Sequence, residues 1–77
     1  MNSKITDVIV HTKDILNDEQ FDRMSAQVYK TDGVVSLNRN VHTPRFLMVV
    51  YNAERTRAIS ILQTVKGLGY EASIVGM

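Results

Sequence analysis

A chain of 77 residues with 44% hydrophobic side chains has surface for one small core, so the expectation is a single domain over residues 1–77, too small for a multidomain enzyme. With 22% charged residues and one proline it is neither polar enough nor proline-rich enough to stay disordered, and nine basic against eight acidic side chains give a net charge of +1 with no electrostatic footprint for nucleic acid. Cysteine is absent, which removes disulfides, thiolate nucleophiles and thiolate metal ligands together. No run is long enough to span a bilayer, and the opening Met1 to Asp7 has no apolar stretch with basic flanks, so a cytoplasmic protein without membrane insertion is expected.

Ile5, Val8, Ile9 and Val10 predict a first strand that closes at His11. A helix follows. Asn17 with Gln20 three residues later has the spacing of a capping box, Asp18 and Glu19 in the first turn and Lys30 in the last suit the helix dipole, and Phe21, Met24 and Val28 form its apolar stripe. Asp32-Gly33 is read as the left-handed stop. Val34 to Leu37 and Phe46 to Tyr51 predict two strands joined through the polar stretch Asn38 to Pro44, a hairpin. A second helix is expected from about Thr56 to Lys66, with Ala58, Ile61, Leu62, Val65 and Leu68 on one face and Gly67 and Gly69 ending it. The last strand is expected from Tyr70 to Val75.

The order strand, helix, strand, strand, helix, strand predicts an α+β fold, a ferredoxin-like βαββαβ sandwich with a four-stranded antiparallel sheet and both helices on one face. Right-handed crossovers bring the loop Thr12 to Leu16, the hairpin around His42 and Gly67 to Tyr70 to one end of the domain. That end is the default functional end.

The chain resembles the heavy-metal-associated domain family, the small copper chaperones and the N-terminal modules of metal-transporting P-type ATPases. The resemblance spans about residues 5 to 75 and is carried by Asp32-Gly33-Val34, by Val49-Val50-Tyr51-Asn52 where the family often has Tyr-Asp-Pro, and by Gly67-Leu68-Gly69-Tyr70. It implies a metal-binding Cys-x-x-Cys loop at the start of the first helix. Counting back from Gly33 by the family's usual spacing places Asn17 and Gln20 at the positions of those cysteines. Neutral amide oxygens do not replace thiolates for Cu(I), whereas the same two residues make a good helix start, so the resemblance implies the fold without its sulfur chemistry.

Other residues offer a different chemistry. His11 and His42 are the only histidines, the topology sends both to the loop end, and with Asp14 they form a candidate set for Cu(II), Ni(II) or Zn(II), against the reading of solvated or strand-end histidines with no cofactor. Met24 and Met48 read as core fillers, and Met1 and Met77 carry no weight as ligands. Tyr70 is a candidate contact residue, either packed on the first loop or showing its ring to a partner. Arg23, Arg55 and Arg57 read as a solvated face. Ser25, Ser36, Ser60 and Ser73 lack any context that supplies a base or an oxyanion hole, so no enzyme is expected. Phe46 to Tyr51 lacks the Gly-aromatic-Gly pattern of an RNA-binding strand.

Three functions follow from these residues. The first is a non-enzymatic regulatory or adaptor module that binds a protein partner, or its own copy, through the end loops or through the edge strands Val34 to Leu37 and Tyr70 to Val75. A second is a metal-binding or metal-delivery protein using His11, His42 and Asp14 in place of thiolates. The third, by fold analogy, is a small-molecule-sensing domain.

Overall fold

Six elements appear in the predicted order: β1 (Ile5–Thr12), α1 (Asp18–Tyr29), β2 (Val34–Arg39), β3 (Phe46–Asn52), α2 (Ala58–Gly67) and β4 (Ala72–Ile74). They belong to a computed structural model that describes residues 4–76, so Met1 and Met77 lie outside the described residues. The strands form one antiparallel sheet in the order β2-β3-β1-β4, with β2 and β4 at its edges. This is the expected ferredoxin-like topology.

The pleat decides which side chains form the core. In β1, Val8, Val10 and Thr12 point toward the helices and are buried, while Ile9 and His11 between them point to the other face. In β3, Leu47, Val49 and Tyr51 are buried and alternate with outward Phe46, Met48 and Val50. Met24 and Val28 of α1 and Ile61 and Val65 of α2 close over the inner face, with Leu16 and Leu37 completing the cluster. Burying a side chain of this size stabilises by about 1.5–3 kcal/mol, which is why this cluster outweighs any single surface pair.

Four details depart from the sequence reading. Met48 is on the open face and 42% exposed, so it is not a core filler, whereas Met24 is fully buried. Leu68 is likewise exposed, because it follows the last turn of α2 and precedes Gly69, whose φ of +99° turns the chain away. Gly33 does not stop α1. That helix closes through Lys30, which lies just past its last turn and donates its N–H to the carbonyls of Gln27 and Val28, and Gly33 instead serves the turn into β2. β4 spans only Ala72–Ile74, although Lys13 N–H to Glu71 O and Val75 N–H to Ile9 O extend its contact with β1 at both ends.

The edge of β2 is also less open than its sequence suggests. A register shift between Val34 and Ser36 leaves Val35 outside the ladder, and the Leu37 N–H donates to the Tyr29 hydroxyl at 2.9 Å. Bulges and occupied donors of this kind blunt an edge against strand pairing.

Candidate functional site

The loop between β1 and α1 is fastened at both of its ends. The buried Thr12 donates its hydroxyl to the Asp14 carbonyl at 2.9 Å and its N–H to the Arg45 carbonyl at 2.9 Å, which ties the start of the loop to the β2–β3 hairpin. Lys13 N–H is bound by Glu71 O at 2.9 Å, and Leu16 is inserted into the core. At the end of the loop the predicted capping box is present. Gln20 N–H donates to Asn17 Oδ1 at 2.7 Å and Asn17 N–H donates to Gln20 Oε1 at 2.9 Å, so both amide side chains serve the helix start.

A residue that the sequence reading left in the polar hairpin completes this arrangement. Arg39 follows Leu37 by two positions on β2, so the pleat puts its side chain on the helix side of the sheet, over the beginning of α1. One guanidinium nitrogen donates to the Leu16 carbonyl at 3.0 Å, the other to Asp18 Oδ1 at 2.7 Å, and the guanidinium carbon stands 4.5 Å from the Phe21 ring centroid. The fork therefore grips the loop immediately before Asn17, the salt bridge reaches the residue after it, and the ring beyond Gln20 packs under the charge. A permanent cation is held against the segment in which the family resemblance implies a metal ion.

The predicted ligands fall in separate places. His11 lies on the open face of the sheet, its ring 5.1 Å from that of Phe46 and tilted by 57°. His42 is exposed in the hairpin, where its N–H donates to Asn40 Oδ1 at 2.8 Å. Asp14 lines a hollow with Thr12, Lys13 and Tyr70 in which neither histidine takes part. Among the described residues no three His, Asp or Glu side chains gather into a group able to hold a metal ion. Tyr70 is half-buried against the core and borders the first loop through this same hollow.

Each loop of this end carries an exposed apolar side chain. Ile15 in the first loop is 58% exposed and Val41 in the hairpin 83% exposed, and Leu68 stands uncovered after α2. The arginines that local sequence does not explain have ordinary surface partners: Arg23 pairs with Glu19 at 2.6 Å and Arg55 with Asp32 at 3.1 Å, while Arg57 supplies the N-cap position of α2 without a side-chain cap.

The chain superposes on oxidized MerP from Ralstonia metallidurans CH34 with a TM-score of 0.79 at 15% identity, covering 92% of this chain and 97% of that one. A copper binding domain from HMA7, a P-type ATPase, gives 0.79 at 16% identity over 91% and 93% of the two chains. The CsoZ metallochaperone gives 0.75 at 22% identity over 90% and 97%. The fold is that of heavy-metal-associated domains. No family model matches the sequence, and no curated protein matches it. Among the described residues no helix is long and apolar enough to cross a membrane.

Proposed function

We propose that this protein is a non-enzymatic, protein-binding module that keeps the heavy-metal-associated scaffold and uses its loop end for docking rather than for carrying a soft metal ion. The observation that carries this reading is the Arg39 clamp. In a metal carrier the first loop must open to admit and release its ion, but here Leu16, Asn17, Asp18 and Gln20 are held by one guanidinium and a closed capping box, and there is no cysteine to receive an ion. Ile15, Val41 and Leu68 supply the apolar contact, and Ile15 stands in the clamped loop, so little ordering of that loop opposes binding. The likeness to a metallochaperone and to a copper binding domain of a P-type ATPase supports a binding role on this scaffold.

A photo-reactive side chain placed at Ile15 or Val41 tests this directly in cells. A discrete cross-linked partner from these two positions, lost when Leu68→Asp is added and not obtained from Gln63 on α2, is the expected result. Cross-linking from Gln63 alone would put the docking surface elsewhere. A metal-delivery role through His11, His42 and Asp14 finds less support, since the three are not gathered into one site.

A further inference from the structure

The sheet face turned away from the helices takes no part in the loop-end reading. There β1 and β3 present three cross-strand rows: Asp7 beside Val50, Ile9 beside Met48, and His11 beside Phe46. Val75 widens the apolar middle next to Ile9 and Met48. Phe46, Met48 and Val75 are exposed and Ile9 and Val50 half-buried. Lys13 and Glu71 at the rim pair with each other at 3.4 Å, and the two unpaired charges stand at opposite ends. Asp7 lies in the first row, and Arg45 lies just past the last, bordering the hollows on either side of His11. Among the described residues neither has an opposite charge within 4.0 Å.

We propose that this face is the contact between two copies of the chain, packed sheet to sheet about a two-fold axis with their strands antiparallel, so that Asp7 of each copy meets Arg45 of the other. An isologous contact needs a patch complementary to itself, and one acid and one base at opposite ends of an apolar middle meet that need. Arg45 stands in the turn before β3, opposite Thr12, where the pleat alone would give the helix side; its place on this face comes from the hollows it lines together with His11. Asp7 and Arg45 are then five positions apart along the paired strands, about 17 Å, so the axis falls midway, between the Ile9/Met48 row and the next position. Rows spaced about 6.8 Å apart on one copy then fall between the rows of the other, the meshing of two sheets packed about 10 Å apart. A balanced acid and base offer nothing particular to a phosphate backbone, and the occupied β2 edge disfavours association through strand pairing there.

The size of the face sets the strength. Four strands about 4.8 Å apart and about 20 Å long give roughly 400 Å² per copy. That is half of the about 800 Å² per partner of a standard interface, which places the dimer in the weak, transient class. Sedimentation equilibrium of the full chain from about 10 µM to about 1 mM, with NMR spectra over the same dilution, reads it out. The expected result is a monomer–dimer equilibrium with dilution shifts centred on Ile9, His11, Phe46 and Met48.

Met48→Lys should weaken the dimer at least about tenfold while lowering Tm of the dilute monomer by no more than about 8 °C, because the side chain lies outside the core. Asp7→Arg or Arg45→Asp alone should weaken it about fivefold, and the two together should restore it to within about twofold. A protein still monomeric at about 1 mM, a dimer indifferent to Met48→Lys, or dilution shifts confined to the loop end or to β2 would overturn the proposal. Failure of the paired charge reversal to restore association would overturn its antiparallel arrangement. A peptide or oligonucleotide that occupies this face of a strictly monomeric protein would do the same.

Discussion

Replacing Arg39 by methionine keeps most of the apolar stem and removes the fork, so its cost measures the clamp. Three contacts are lost. The hydrogen bond to the Leu16 carbonyl, from a charged donor that is only 24% exposed, is worth about 1.5–3 kcal/mol. Stacking on Phe21 adds about 0.5–1 kcal/mol. The Asp18 pair adds little, since that carboxylate is 92% exposed and such pairs contribute about 0–1 kcal/mol. With partial compensation by water, the sum is a destabilisation of about 2–3 kcal/mol, and in a domain of this size that lowers Tm by about 10–20 °C. Thermal and urea unfolding followed by circular dichroism give the number, and amide exchange of Lys13 to Asn17 should accelerate in the variant. Asp18→Asn should cost below about 1 kcal/mol, and Arg39→Lys should fall between, because an ammonium cannot reach both acceptors as a planar fork does. A fall in Tm below about 3 °C for Arg39→Met, with unchanged loop exchange, would refute the idea that this side chain fixes the loop.

Three further outcomes test the packing. Met24→Ala should cost about 2–5 kcal/mol by opening a cavity at a fully buried position, whereas Met48→Ala on the open face should cost under about 1 kcal/mol; equal values in denaturant titrations would contradict the assignment of the two faces. Gly33→Ala should destabilise by about 2 kcal/mol or more, since φ is +102° and the new Cβ would stand 2.8 Å from Arg55 Cβ, and an unchanged melting curve would mean the turn relaxes freely. Tyr29→Phe should cost about 1 kcal/mol by leaving the Leu37 N–H without its hydroxyl acceptor, with faster exchange of that one amide as the specific sign.

What the sequence displays depends on how local the interaction is. The capping box involves residues three apart, and its two hydrogen bonds could be read before any fold was known. The topology followed from the order of six short patterns and the handedness of crossovers. Arg39 was not legible, because its partner Leu16 is 23 positions away and nothing in Asn38-Arg39-Asn40 distinguishes a clamping arginine from a hairpin one. Extending β2 by two residues in the pleat of Leu37 would have pointed it at the helix start. Met48 was misplaced for another reason. The run from Phe46 to Tyr51 is apolar at every position, so period-two alternation is invisible and only the sheet's single open face separates Leu47, Val49 and Tyr51 from their neighbours. The same pleat gives the two histidines different surroundings: His11 faces the open side of the sheet beside Phe46, while His42 stands exposed in the hairpin.

The central proposal is a heavy-metal-associated fold whose loop end does not hold a metal ion. Native mass spectrometry of the tag-free protein with Cu(I), Cu(II), Ni(II) and Zn(II) tests it most directly, beside Asn17→Cys/Gln20→Cys as the restored thiolate pair and His11→Ala and His42→Ala as ligand deletions. The account predicts that the natural chain emerges without stoichiometric metal, whereas the double cysteine variant takes up one Cu(I). A single ion retained by the natural chain and lost on substituting either histidine would contradict it.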